Sequence, residues 1–350
     1  MNFKKILIPS LQAAVTFLLL YWIFRHPGKR EQMLLALRYA NLWWLIPGFL
    51  SFGIVLIFSA MRWRLLLSVQ KIDFGWKRTF HLVMIGMFFN LFLLGSVGGD
   101  VLKIFYAMKE VPRKKTGVLL SILLDRLVGM FSLMLVTFAV CFFSLHQLLL
   151  NPMTSGIFST IIVVFGGFIL FVLFILISNH FHLWNRLPTW IPAHRSLLDF
   201  ATALSSYASK TRVLFQATLC SLIMSLFLIG SVIFSAYSFS NIPGSPGAVP
   251  MIVVMPIVNT ICNIPISLSG IGVRESLFET LLSTLYGTPK SLAVLISLTS
   301  FSLIAAWSLL GGLFYLFYSP TSGSYASLDE MEDEVELVEK KVETRAEKIC

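Results

Sequence analysis

The chain has 350 residues, of which 57% are hydrophobic and 13% charged, and its mean hydropathy is +0.83. These few polar residues cannot cover the surface of a water-soluble globule of this size. The composition therefore excludes a soluble globular protein. The formal net charge of +10 hides an asymmetry, because residues 320–350 carry nine acids and four bases. The other basic residues are spread over short loops, which favours contact with anionic lipid headgroups over nucleic-acid binding.

Eight apolar segments follow one another along the chain, each about long enough to cross a bilayer as a helix. They lie at 6–24, 42–61, 79–97, 116–143, 156–178, 213–238, 249–268 and 291–318. This pattern predicts an all-α polytopic membrane protein. We expect a transmembrane domain over residues 1–318 and a charged cytoplasmic tail over residues 319–350.

The distribution of Lys and Arg among the loops predicts the orientation of these segments. The loops without Lys or Arg are 144–155 and 239–248, and the most basic loops are 62–78, 103–115 and 179–212. We therefore expect the first group outside and the second group in the cytoplasm. Loop 25–41 does not fit, because it falls outside yet carries four basic residues; its helical apolar spacing predicts a helix lying on the membrane surface.

Two segments must enter the membrane and return if this orientation holds. With both flanking loops in the cytoplasm, residues 79–107 form one re-entrant hairpin, and residues 249–286 form a second before a single span at 291–318. The expectation is six full spans plus two hairpins in the cell membrane (inner or plasma membrane), with both termini cytoplasmic. The halves 1–145 and 156–318 would then be an inverted repeat, as in many secondary transporters.

The stretch GSVGGDVLKIFY interrupts the first predicted hairpin. Its glycine and polar positions are Gly95, Gly98, Gly99, Asp100, Lys103 and Tyr106. Glycines permit a tight break with open backbone amides, and the N-terminus of the following helix favours an anionic group. Lys103, one turn on, is placed to meet a phosphate. The alternative is a loop at the membrane edge with Asp100 as an ordinary N-cap residue.

A second break, NIPISLSGIGVRESLFET, lies in the other predicted hairpin. Its breaking residues are Pro265, Gly270 and Gly272, its charged residues are Arg274, Glu275 and Glu279, and Asn259 and Asn263 precede it on one face. Arginine binds phosphate with two parallel hydrogen bonds, so this cluster favours a binding function. The alternative is an Arg–Glu pair that satisfies itself at the membrane interface.

A third motif, LLSILLDRLVGMF, places two charges about three turns inside a span. Each charge costs about 2.5–3.5 kcal/mol on insertion scales, and adjacent residues point about 100° apart, so both need partners on other helices. The expected contacts are Asp125 with Lys103 or Arg274, and Arg126 with Glu275, Asp100 or the substrate. The alternative is a buried network that only fixes packing.

No motif predicts a metal site or a cofactor, since the four cysteines and six histidines lack metal-ligand spacing. The tail carries apolar residues at coiled-coil spacing over residues 328–349, which would give a homo-oligomer contact, but a solvated, mostly disordered helix is the favoured interpretation.

In this order, GSVGGDVLKIFYA, LLDRLVG and PISLSGIGVRES resemble the flippase-like integral membrane family that includes the transmembrane region of lysylphosphatidylglycerol synthases. The resemblance implies translocation of a lipid or lipid-linked substrate. By position it points to Asp100, Lys103, Asp125, Arg126, Arg274 and Glu275. Two departures leave the substrate open: Leu94 stands where the family often has proline, and Asp100 and Lys103 stand where a glutamate and a later arginine are common.

These observations predict a lipid flippase or transporter for an anionic phospholipid or lipid-linked intermediate. Only about 30 residues follow the last predicted span, so we expect no aminoacyltransferase domain and no enzymatic activity in this chain. The partners expected are membrane lipids and not nucleic acid. Two alternatives stay open: a membrane enzyme acting on a lipid-linked sugar or headgroup, with Asp125 or Glu275 as the reacting group, and a scaffold that transports nothing.

Overall fold

A computed structural model describes residues 35–92, 98–149, 151–180, 207, 210–263, 270 and 272–318. The main helices are α1 (Leu45–Val69), α2 (Gly75–Phe92), α3 (Gly98–Glu110), α4 (Lys115–Phe143), α5 (Leu145–Leu149), α6 (Pro152–His180), α7 (Thr211–Tyr237), α8 (Ala248–Cys262), α9 (Val273–Tyr286) and α10 (Lys290–Leu316). The predicted segment 6–24, Gly95, Pro265 and the tail with residues 328–349 lie outside the described residues.

The prediction of an all-α membrane protein is confirmed: within the described ranges all regular structure is helical. Four helices are long and apolar enough to cross a membrane, and two shorter apolar helices accompany them. The long ones are Leu42–Val69, Pro112–Phe143, Thr211–Tyr237 and Lys290–Leu316, which contain α1, α4, α7 and α10. The shorter apolar stretches are Thr154–Leu170, which lies within α6, and Ala248–Cys262, which is α8. The chain is therefore a multi-pass membrane protein.

Helix α1 corrects the predicted loop 62–78. The helix continues to Val69 and ends where Lys71 takes a left-handed backbone conformation (φ +55°). Arg62 and Arg64 therefore belong to the helix, about 200° apart around its axis. Arg62 is buried and Arg64 is exposed. From the sequence both arginines are expected in a loop, because a charged residue lowers the hydropathy of a segment whether or not the charge is paired inside the protein.

Helices α2 and α3 form an antiparallel hairpin around the first predicted break. The amide of Gly99 donates to Oδ1 of Asn90 at 2.9 Å. A Cβ on Gly99 would lie 1.9 Å from the carbonyl oxygen of Gly86, so the two backbones touch at this level. At the far end Arg78 pairs with Glu110. A glycine is required at 99 because any side chain there would force the arms apart.

Helices α8 and α9 flank the second predicted break. Gly270 (φ +76°) lies against Cys262 at the end of α8, and Gly272 (φ +86°) directly precedes α9. Both conformations are strained for residues with a side chain, which explains the two glycines. Pro256 stands inside α8 and has no N–H for the carbonyl of Ile252.

Other helices meet through close contacts of small residues. Helix α1 packs along α7, while α2 packs against α10. A Cβ on Gly311 of α10 would lie 2.3 Å from the carbonyl oxygen of Met84 in α2, and one on Gly53 of α1 would lie 2.6 Å from the indole of Trp307. Such contacts are typical of helix interfaces in membranes.

Candidate functional site

A cavity of about 450 Å³ lies between the α2–α3 hairpin and the helices α8 and α9, and parts of α1, α4 and α10 complete its lining. The residues on either side of both breaks reach it. Of the residues predicted from the sequence, it is lined by Asp100, Lys103, Asp125, Arg126, Asn259, Asn263 and Arg274. The three motifs, up to 174 positions apart in the chain, therefore meet at one place.

Asp125 on α4 pairs with Arg62 on α1, a residue that the sequence analysis placed in a loop. Arg62 donates from Nε to Oδ1 at 2.7 Å and from Nη2 to Oδ2 at 2.9 Å. Its third donor, Nη1, reaches Oγ of Ser221 on α7 at 2.8 Å. Both side chains of the ion pair are about one-tenth exposed. This bidentate pair fixes α1, α4 and α7 to one another at the cavity wall.

Lys103 on α3 is 5% exposed although it carries a charged group. Its Nζ lies 4.0 Å from Oδ2 of Asp125 and 3.9 Å from the centre of the Trp63 ring. Lys103 is thus one of the two partners expected for Asp125, but Arg62 holds that carboxylate much more closely. The ammonium group keeps part of its hydrogen-bonding capacity for a group in the cavity.

Arg126 pairs with Asp100, which is one of its expected partners. The Nε atom of Arg126 donates to Oδ2 of Asp100 and so joins α4 to the first turn of α3. An aspartate in the first turn also lies in the positive field of the helix N-terminus. Neither side chain is fully buried, so the pair lies at the cavity surface.

Arg274, in the first turn of α9, forms no ion pair with any described residue. Its guanidinium carbon lies 5.3 Å from the centre of the Phe301 ring. Its Nη1 atom is buried and has no hydrogen-bond partner within the described part of the chain. A buried N–H group without a partner costs about 1–3 kcal/mol, and more when it is charged. Such a donor is available for an anionic ligand.

Glu275 lies outside the cavity, at the start of α9. Its Oε2 accepts a hydrogen bond from the amide of Gly272 at 2.5 Å, and its Oε1 accepts one from Ser297 at 3.2 Å. This is the carboxylate half of a capping box, because Glu275 occupies the third position of the helix. The spacing Gly272-x-x-Glu275 carries that signal in the sequence. The structure therefore does not bring Glu275 to Arg126.

Tyr106 and Glu279, the other polar residues predicted next to the two breaks, also lie outside the cavity lining. The Tyr106 ring packs 4.7 Å from that of Tyr318, which follows α10. The Tyr318 hydroxyl donates to Oε1 of Glu110 at 2.8 Å, and Arg78 binds the same oxygen while lying 4.3 Å over the Tyr318 ring. Burial raises the pKa of Tyr318, which keeps its hydroxyl a donor. This cluster ties the first hairpin to α10.

The cavity carries more positive than negative charge. Its basic side chains are Arg62, Lys103, Arg126 and Arg274, and its acidic side chains are Asp100 and Asp125. Because two arginines are matched by the two carboxylates, the excess resides on Lys103 and Arg274. Carboxamides of Asn90, Asn259 and Asn263 also line the cavity. The arrangement suits an anion that carries further hydrogen-bonding groups.

Among the described residues no group of His, Cys, Asp and Glu side chains could hold a metal ion. The family model for the lysylphosphatidylglycerol synthase TM region matches residues 10–312. No curated protein and no solved structure matches the chain. Because the family match spans most of the sequence and includes all three motifs, the chain belongs to the lysylphosphatidylglycerol synthase TM-region family.

Proposed function

We propose that this protein moves an anionic lipid, either a phospholipid or a lipid-linked intermediate, between the leaflets of the cell membrane. The observation that carries the proposal is the cavity of about 450 Å³, where Lys103 and Arg274 provide positive charge in excess of the carboxylates. A buried cation is costly in a membrane protein, and it is typically found on a substrate pathway.

In this proposal the two basic residues bind the phosphate from opposite hairpins. Lys103 acts as a point charge and Arg274 donates through its unpaired Nη1. The ion pairs of Asp125 and Asp100 hold Arg62 and Arg126 at the wall, where they add to the positive potential. The acyl chains stay in the bilayer while the headgroup passes through the cavity.

The proposal includes the topology expected from the basic loops: six full spans, two re-entrant hairpins, an inverted repeat and cytoplasmic termini. It is supported by the position of the two predicted breaks, since the residues flanking both of them line one cavity. Broken helices that meet near the midplane are the usual binding elements of inverted-repeat transporters.

We propose transport rather than chemistry on the headgroup because the candidate reacting groups are engaged elsewhere. Both oxygens of Asp125 accept hydrogen bonds from Arg62, and both oxygens of Glu275 are held by Gly272 and Ser297. The bidentate ion pair with Arg62 stabilises the Asp125 carboxylate and so weakens it as a base or nucleophile, and Glu275 lies outside the cavity, out of reach of the substrate.

Reconstitution into liposomes tests this function. Phosphatidylglycerol with a fluorescent acyl chain is placed in one leaflet, and its appearance in the other is followed by quenching. We expect Arg274→Gln and Lys103→Gln each to slow translocation about tenfold, because each removes one charged contact to the phosphate. Arg64→Gln is the matched control, since Arg64 is exposed on the same helix as Arg62. Wild-type rates in both cavity variants would refute the mechanism.

A further inference from the structure

A second cavity of about 490 Å³ lies at the other end of α4, α8 and α9 from the charged one. Its lining comes from the end of α4, the start of α5, the start of α8 and the end of α9. None of the lining residues is Asp, Glu, Lys or Arg, and most of them are apolar. The polar ones are Ser144, His146, Gln147 and Tyr286.

One polar group at this cavity is left without the partner that its burial requires. The Tyr286 hydroxyl is buried and has no hydrogen-bond partner among the described residues. The carbonyl of Ile252, another lining residue, lacks the usual helical donor one turn on, because Pro256 has no N–H. Since an unsatisfied buried hydroxyl is destabilising, Tyr286 indicates a ligand that supplies an acceptor.

The surroundings indicate that this ligand comes from the bilayer. Phe143 is 86% exposed, Val249 is 65% exposed and Ile252 is 41% exposed, although all three line the cavity. Apolar side chains exposed on helices of a multi-pass membrane protein face lipid. An apolar cleft with one tyrosine hydroxyl matches the ester region of a phospholipid, where acyl chains meet polar carbonyl oxygens.

The same three helices join this cavity to the charged one. On α4, Gly129 lines the first cavity and Phe143 the second, about 20 Å apart at roughly 1.5 Å per residue. Between them the hydroxyls of Thr137 and Thr260 lie 2.8 Å apart, and both approach the carbonyl oxygen of Pro256. A buried polar contact thus lies within the α4–α8 interface that extends from one cavity towards the other.

We propose that the second cavity is a lipid-binding site, which takes the glycerol-ester region and first methylenes of a phospholipid with Tyr286 donating to an ester oxygen. This inference rests on the proposed function for its role: the uncharged cavity is the position that the lipid occupies before or after its phosphate engages Lys103 and Arg274. The binding itself does not depend on transport.

Native mass spectrometry with dioctanoyl phosphatidic acid as the probe tests the site. The wild-type protein is expected to bind two probe molecules and Ile252→Trp one, because the indole fills the cavity from its exposed rim. Ile162→Trp is the matched control on α6, where Ile162 is 50% exposed and lines neither cavity, and it should bind two. Two tightly bound probes in Ile252→Trp, or one in the wild type, would overturn the inference.

Tyr286→Phe provides a second variant that keeps the shape of the cavity. Loss of one neutral hydrogen bond should weaken binding of one probe molecule about fivefold. The lipid-free variant should melt no lower than the wild type, because the substitution removes a buried hydroxyl without a partner. Unchanged affinity for both probe molecules would contradict the assigned donor.

The liposome assay separates the two proposals. If Ile252→Trp binds one probe and translocates at least tenfold more slowly than Ile162→Trp, both proposals are supported. Binding as predicted without translocation by the wild type would retain the site and refute the proposed function. If the wild type translocates lipid and Ile252→Trp still binds two probe molecules, the proposed function is retained and the second binding site is refuted.

Discussion

Replacing Asp125 by asparagine should strongly destabilise the protein. Asparagine keeps the size of the side chain but removes its charge, and it leaves the buried Arg62 facing a neutral amide. Two of the three hydrogen bonds of Arg62 end on Asp125, at 2.7 and 2.9 Å, and both side chains are about one-tenth exposed. The desolvation of a guanidinium is then no longer offset by an opposite charge.

The magnitude follows from the geometry. Removing one partner of a buried ion pair costs about 3–5 kcal/mol. Lys103, 4.0 Å from the same carboxylate, also loses attraction, which favours the upper half of that range. On the same helix, Arg64 pairs with Asp73 at 3.7 Å with both side chains largely exposed, and Asp73→Asn should cost about 1 kcal/mol or less.

Equilibrium unfolding in mixed micelles, followed by circular dichroism, measures both costs. The double variant Arg62→Met with Asp125→Leu should recover about 2–3 kcal/mol relative to Asp125→Asn, because hydrophobic residues of similar volume replace a buried pair at little cost. If Asp125→Asn and Asp73→Asn had equal effects, the account of a buried and tightly bound pair would be wrong. A double variant no more stable than Asp125→Asn would show that the two side chains are not coupled.

Three further changes test other parts of the structure by the same unfolding measurement. Gly99→Ala should cost about 3 kcal/mol because its methyl group would collide with the facing backbone, whereas Gly156→Ala, with nothing within 4 Å, should be neutral or stabilise α6 by about 0.5–1 kcal/mol; similar effects would rule out the backbone contact. Tyr318→Phe should cost about 1.5 kcal/mol by removing the hydrogen bond to Glu110, and an unchanged stability would mean that this bond contributes nothing. Glu275→Ala should cost about 2 kcal/mol through loss of the α9 cap, and a loss of lipid binding without a loss of stability would instead place Glu275 in the site.

The sequence predicts the helical architecture because its signal is local. Apolar segments near 20 residues long determine helices in a membrane, and glycines next to charged residues indicate where helices break. Asp125 and Arg126 were predicted to need partners on different helices, since neighbouring residues diverge by about 100°. The structure gives each a separate partner, on α1 and α3.

What the sequence did not predict depends on contacts between distant residues. Arg62 and Arg64 look equivalent in the stretch MRWRLLL, and only the position of Asp125, 63 residues away, determines which one is buried. Glu275 shows a different limitation. Its spacing from Gly272 is typical of a helix cap, but a glycine lacks the side chain that usually marks the first residue of a capping box.

The glycine contacts at Gly53, Gly99 and Gly311 determine how this protein tolerates change. A lipid tail is as apolar as a leucine side chain, so the interior gains little by exchanging hydrocarbon for hydrocarbon. Helix association therefore depends on van der Waals contact at close approach, which is backbone to backbone at Gly99 and Gly311 and backbone to indole at Gly53. We expect the apolar clusters to accept conservative exchanges of Leu, Ile and Val, whereas one added methyl group at these three glycines separates neighbouring helices. Among the described residues, positions with no side chain are thus as sensitive to a small change as many buried side chains are to a large one.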